Sequence, residues 1–256
     1  MKFFSTIFLL FLLVSCDDES YIYIEQFNYT EGQTFSYEYT FSLSQNDSVF
    51  DTQKSTYKLE VVSTNASVGN FRNLIEFKVY DIESPEFYTH SWYQQTEDGF
   101  FDIAYKNAGV DPGIQPKEKN RKNRIKPSFL LPYFEFNNSH DRNYKTVVDS
   151  LIIRDEIRLT VPFPLHLETK EWTEFSNVFL RKSRTTDITT VHNKEALKVT
   201  STFEGIFSTD IEFNSYFTNS GLIKRTIYVK DQPYFGEDSN DIIGRFDTFQ
   251  EIILKK

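Results

Sequence analysis

Apolar and polar residues alternate along most of this chain with a period of two. Phe35, Tyr37, Tyr39, Phe41 and Leu43 fall in one phase, and Ser36, Glu38, Thr40 and Ser42 in the other. Successive side chains of a strand point to opposite faces, so the pattern predicts a strand with one buried face. Tyr57, Leu59 and Val61 repeat it against Lys58 and Glu60, and Ile75, Phe77 and Val79 against Glu76, Lys78 and Tyr80. The series Leu197, Val199, Ser201, Phe203, then Ile211, Phe213, Ser215, Phe217, then Ile223, Arg225, Ile227, Val229 keep the same spacing. Turn-forming groups separate these runs, among them Asn46-Asp47-Ser48, Glu97-Asp98-Gly99 and Asn219-Ser220-Gly221. No long stretch follows a 3.6-residue period. The fold class expected is all-β, with antiparallel meanders forming a sandwich or an open, curved barrel.

Two stretches share one grammar of aromatic strand, glycine turn and second strand. They are Ser91 to Phe100 and Asn214 to Ile223, and each lies downstream of an aromatic strand opening, Phe35-Ser36-Tyr37 or Trp172-Thr173-Glu174-Phe175. Duplication of a β meander would explain the likeness, with halves at 31–107 and 165–232. A chance rhyme between two hairpins would explain it equally well. Between the halves, 108–136 reads as linker or insert. Gly109, Pro112, Gly113 and Pro116 mark loop, and Lys117, Lys119, Arg121, Lys122, Arg124 and Lys126 form a basic run. Such a run either grips an anionic group or is a solvated loop in an acidic protein. The apolar segment Phe129 to Phe136 reads as a core strand or as an aromatic flap.

Composition agrees with strands, since 26 Phe and 15 Tyr lift the aromatic content to 17% and such side chains suit a pleated, half-buried surface. The net charge of −9 opposes nucleic-acid binding, which depends on phosphate neutralisation. The single cysteine, Cys16, leaves no intrachain disulfide, so the fold must rest on core burial, which this length permits.

The N-terminus adds a location. Lys2 precedes an apolar run from Phe3 to Val14, and Leu13-Val14-Ser15-Cys16 closes it. The run is too short to span a bilayer core, which needs about 20 residues, and has the parts of a secretory signal. This arrangement resembles the lipobox of bacterial lipoproteins. The resemblance implies that residues 1–15 are a signal peptide removed in the mature protein, and that the Cys16 thiol carries a diacylglycerol. Residues 16–30 are then expected to be a lipidated tether and first strand, with 31–256 as the β-rich domain. Asp17, Asp18 and Glu19 resemble the export tag of surface lipoproteins in Bacteroidota. An Asp directly after the lipidated cysteine also resembles the inner-membrane retention signal of enteric-type sorting, and a solvated tether has the same composition. The placement expected is the outer membrane, lipid-anchored and facing either side.

Motifs for chemistry are absent. His90, His140, His166 and His192 show no metal-ligand spacing, and the sequence holds no nucleophile elbow, phosphate loop or dinucleotide fingerprint. Asp231, Glu237, Asp238 and Asp241 could offer oxygens to Ca²⁺, but their spacing matches no EF-hand and fits a charged hairpin loop. No cofactor and no metal are expected, and the chain reads as a non-catalytic binding or structural module of the cell envelope. A carrier of a lipid or other hydrophobic ligand is one alternative. The aromatic meander resembles, at fold level, the open barrels of lipoprotein-carrier proteins, whose concave face holds acyl chains. The inward face of the 35–43 strand would suit such a cavity or an ordinary core. The other alternative is a surface module for glycan or protein, with Trp92, Tyr93 and Trp172 as exposed stacking residues.

Overall fold

A computed structural model describes residues 21–46, 48–108, 151–175, 179–205, 211–235 and 242–255. The period-two runs become twelve strands. They are β1 (Thr34–Gln45), β2 (Ser48–Val68), β3 (Phe71–Asp81), β4 (Ser84–Thr96), β5 (Gly99–Ala108), β6 (Leu151–Pro162), β7 (Trp172–Phe175), β8 (Phe179–Val191), β9 (Lys194–Gly205), β10 (Ile211–Thr218), β11 (Gly221–Phe235) and β12 (Ile242–Leu254). Within β1–β6 and within β7–β12 every strand pairs antiparallel with the next, and β1 pairs with β12. The twelve therefore form one sheet that curls into a nearly closed barrel. Its two edges are the consecutive strands β6 and β7. Trp172 closes that seam, because its indole N–H donates to the Thr160 carbonyl of β6 at 3.3 Å. The hairpins that rhyme in sequence, β4–β5 and β10–β11, lie six strands apart in this ring of twelve, as do the openings β1 and β7.

Register fixes which phase points inward. Tyr37 stands opposite Tyr57 on β2 and Leu254 on β12, and Tyr39 opposite Ser55 and Ile252. Cross-strand partners share a face, so the apolar phase of each run gathers inside. Phe35, Tyr37, Tyr39, Leu59, Val61, Phe77 and Val79 are buried in one core with Tyr93, Phe100, Val199 and Phe217. The inward face of the 35–39 stretch is thus packed as core. The outward phase carries Glu38, Lys58, Glu60 and Lys78, whereas a barrel standing in lipid presents an apolar band.

The ends of the barrel differ. Two-residue turns join β2 to β3, β4 to β5, β8 to β9 and β10 to β11 at one end, which also carries the nine-residue β6–β7 connection; the other end has two-residue turns at β1–β2 and β3–β4 together with the remaining, longer connections. Residues 21–33 cap the end that holds the β2–β3 and β4–β5 turns. The Phe27 N–H donates to Gln95 Oε1 at 3.0 Å, Gln95 Nε2 donates back to the Phe27 carbonyl at 3.1 Å, and the Asn28 N–H donates to the Asn219 carbonyl at 2.7 Å. The Phe27 ring sits 5.1 Å from Phe163 and 5.4 Å from Phe100, edge-on to both, and stacks on Phe217 at 5.8 Å. Here the structure departs from the first strand expected within 16–30. The described part of that span holds a single bridge, Ile24 to Leu165, and the first strand opens at Thr34. A plug has to send apolar side chains in several directions into the barrel mouth. Its backbone is satisfied by turn carbonyls and an amide side chain instead of a strand ladder.

The plug depends on Gly221. Its φ of +78° counterpart at Gly32 faces open space, but Gly221, at φ +94°, would place a Cβ 2.1 Å from the Tyr29 hydroxyl. Gly221→Ala is expected to destabilise the protein by about 1–3 kcal/mol, from overpacking plus a backbone conformation that L side chains avoid. Adding Tyr29→Phe removes the closest atom. Urea unfolding should show the double variant recovering part of the loss, the remainder being the backbone cost.

Candidate functional site inside the barrel

The interior is not uniformly apolar. Glu174 of β7, Arg181 and Ser183 of β8, Ser201 of β9, Ser215 of β10 and Arg225 of β11 are all buried. Each sits in the inward phase of its strand, and the register brings them to neighbouring positions. Glu174 stands opposite Arg181, Ser183 opposite Ser201, and Ser215 opposite Arg225. Arg181 is ion-paired to Glu174 through Nη2 and Oε2. Arg225 Nε donates to Ser215 Oγ at 3.0 Å, and the hydroxyls of Ser183 and Ser201 lie 2.7 Å apart. Both guanidiniums lie over the ring of Phe213, with Cζ 5.0 Å from its centroid for Arg225 and 5.9 Å for Arg181. An aromatic face attracts a cation, more so when the pair is out of water.

Burial decides the electrostatics of this belt. It disfavours the charged form of Arg225, and the like charge of Arg181 adds to the effect; Tyr93, Tyr37 and Glu174 oppose it. Desolvation likewise holds the phenols of Tyr29, Tyr37, Tyr39 and Tyr57 well above their ordinary value. They are neutral, and Tyr37 donates its O–H to the Leu222 carbonyl at 2.7 Å. The buried atoms Arg181 Nε, Thr185 Oγ1 and Gln250 Oε1 have no hydrogen-bond partner among the described residues. Such atoms in a protein interior call for water or an ion.

The residues singled out from sequence fall elsewhere. Trp92, Tyr93 and Trp172, expected as exposed stacking residues, are 8%, 1% and 7% exposed, so none offers a ring face to a glycan. Each has a packing reason instead. Trp172 locks the seam. Tyr93 stacks on Phe100 at 4.7 Å inside the barrel. Trp92 points outward, where Val68, Leu74, Ile103 and Ala104 bury it in a small cluster. Beside it, His90 stacks on the indole at 5.8 Å and holds Glu76 through Nδ1 at 2.5 Å. His166 stacks on Tyr23 at 5.5 Å. No group of three or more metal-ligating side chains forms among the described residues. Cys16, Asp17, Asp18 and Glu19 lie outside the described residues. So do the basic run 117–126, the segment 129–136, His140, and Glu237, Asp238 and Asp241 of the acidic group. Asp231 of that group pairs with Arg245 at 2.8 Å.

Missing from the sequence-based expectations were Glu174, Arg181 and Arg225. The signal existed: Arg225 occupies the apolar phase of the Ile223, Ile227, Val229 series, and Ser201 and Ser215 sit in the apolar phase of theirs. A cleft of about 520 Å³ opens at the capped end, lined by Tyr23, Glu25, Gln26, Gln95, Thr96, Glu97 and Pro164. Its lining is mainly polar, unlike an acyl-chain cavity.

Comparison with known protein families, characterised proteins and solved structures returns no match. The residues alone carry the functional reading.

The buried phenols set an alkaline limit. Their pKa values are raised in the fold and near 10 in the unfolded chain. Their contribution is therefore complete below about pH 10 and is lost as pH rises toward the folded values. Phenolate absorbance should show exposed tyrosines ionising first. The buried set should ionise only together with loss of the β circular-dichroism signal.

Proposed function

We propose that this protein is a lipid-anchored module of the cell envelope with a non-catalytic binding or structural role. The observation that carries the reading is the position of the lipobox-like Leu13-Val14-Ser15-Cys16 close before a plug whose described residues include Tyr21. Five residues of chain span at most about 18 Å, so an acylated Cys16 holds the capped end of the barrel close to its membrane. The opposite end then points away from the bilayer. The polar outward face supports a body that stands in water beside the membrane. An anchor of two or more acyl chains is stable without help from basic residues, which suits a chain of net charge −9.

The carrier alternative is weakened at the stretch that suggested it, since Phe35, Tyr37 and Tyr39 are packed as core. The glycan alternative loses its three stacking residues to burial. Recognition of another envelope protein is left as the favoured form of binding.

Cys16→Ala should abolish both membrane partitioning and labelling with fatty acid, while the barrel still folds. A variant that stays membrane-bound and labelled would end the lipoprotein reading. The side of the membrane is read separately. Protease added to intact cells should degrade the protein if Asp17, Asp18 and Glu19 act as an export tag. Replacing all three by Ala should confer resistance without releasing the protein. Protection of the unmodified protein would put it on the periplasmic face.

A further inference from the structure

Two large rings at the capped end face outward. Ile24 is fully buried and Ile22 packs against the same core, whereas Tyr21 and Tyr23, which alternate with them, are 65% and 42% exposed. Residues two apart on an extended segment share a face. The two rings accordingly meet, with centroids 6.1 Å apart and planes 19° from parallel. His166 joins the stack, 5.5 Å from Tyr23 and 6.2 Å from Tyr21. Leu167, next in the chain, is 44% exposed. The outward phase of the strands carries residues such as Glu38 and Lys58 instead.

The stack is tied to the barrel on both sides. Ile24 and Leu165 exchange backbone hydrogen bonds of 2.9 Å. The His166 N–H donates to Thr169 Oγ1 at 2.8 Å, and the Glu168 N–H donates to His166 Nδ1 at 3.2 Å. A surface held in shape before contact gives up little freedom on binding. What lies over it follows from the chain. Cys16 stands five residues before Tyr21, a reach of at most about 18 Å. Rings with an apolar body and a polar tip collect at the level of lipid headgroups. The net charge of −9, and Glu25 and Glu97 in the cleft beside Tyr23, suit a zwitterionic surface better than an anionic one.

We propose that Tyr21, Tyr23, His166 and Leu167 form a membrane-contact face, which lies in the headgroup layer of the bilayer that holds the anchor and fixes how the barrel stands on it. The inference rests on the acylated Cys16 of the proposed function. It adds to the anchor a defined surface, so that the capped end sits on the bilayer instead of swinging on a tether.

The test uses the mature protein acylated at Cys16, in phosphatidylcholine vesicles that contain brominated phosphatidylcholine. Bromine quenches indole emission on contact. The native indoles are sheltered, Trp92 and Trp172 being 8% and 7% exposed, and they supply the baseline. Tyr23→Trp should add emission that bromines high on the acyl chains quench by about half or more, and bromines near the chain ends much less. Val49→Trp, at a position 63% exposed at the far end of the barrel, should add emission that stays unquenched. Leu167→Trp reports whether the rings set the contact. Its quenching should fall about twofold or more when Tyr21→Ser and Tyr23→Ser are added, because the tether alone then governs the approach.

Fatty-acid labelling separates the two possible failures. A preparation that does not label ends the anchor reading and this inference with it. In a labelled, vesicle-bound protein, an unquenched Tyr23→Trp indole overturns the membrane face alone and leaves the rings to a protein partner. Equal quenching of Val49→Trp, or Leu167→Trp quenching unchanged by the double substitution, overturns it too. Should Tyr23→Trp lose the β circular-dichroism signal, Tyr21→Trp takes its place with the same expected result.

Discussion

Pairing of β1 with β12 makes the sheet curl on itself, and the interior must then be filled from one phase of its strands. Twelve strands enclose more volume than aliphatic side chains alone fill well, and the chain meets the demand with large rings. Tyr37, Tyr39, Tyr57, Phe77, Tyr93, Phe100 and Phe213 all come from inward positions. Close packing is what makes such an interior stable, since each gap forfeits attraction on its lining. The same requirement explains the plug. A barrel mouth bordered by short turns would leave Phe100, Phe163 and Phe217 open to water, and Phe27 covers all three.

Polar groups occupy the part of the interior that rings do not. A buried ion pair adds little to stability compared with apolar residues of the same size, while loss of one partner is severe. The Glu174–Arg181 pair and Arg225 are therefore poorly explained as a device for holding the barrel shut. The seam is closed by other means. Trp172 bonds across it through Thr160, and Leu165 and Ile24 exchange backbone hydrogen bonds of 2.9 Å just beyond it.

How much of this was legible depended on the kind of signal. Period-two runs are local, so the strands of 35–43, 57–61, 75–79, 211–217 and 225–229 could be read with the correct inward phase, whereas a bulge at Ile223 puts Leu222 in the core instead. Tyr37 and Phe77 lie where the alternation puts them. The plug was not legible, because Phe27 and Tyr29 follow Tyr21 and Tyr23 at the strand-like spacing of two, and the rings they pack on, Phe100 among them, are distant in sequence. Trp92, Tyr93 and Trp172 were misread for a related reason. An aromatic side chain is equally suited to a core and to a surface platform, and only the register separates the two. Arg225 carried a real local signal, a charge in an apolar phase, but its meaning required Glu174 and Arg181 beside it.

The two ends of the barrel follow from one property of a meander with an even number of strands. Strand direction alternates, so every second connection returns to the same end. Here four of the six two-residue turns, the start of β1, the end of β12 and the plug share one end. Lys255, just past β12, returns its N–H to the Ser36 carbonyl at 2.7 Å, next to the start of β1. The nine residues between β6 and β7 also lie at this end, where Phe163 packs on Phe27 and Leu165 bridges to Ile24, so the plug and the seam are built together. β1 begins beside the end of β12 because the two strands pair antiparallel, so the segment that precedes β1 is delivered to the mouth that it fills.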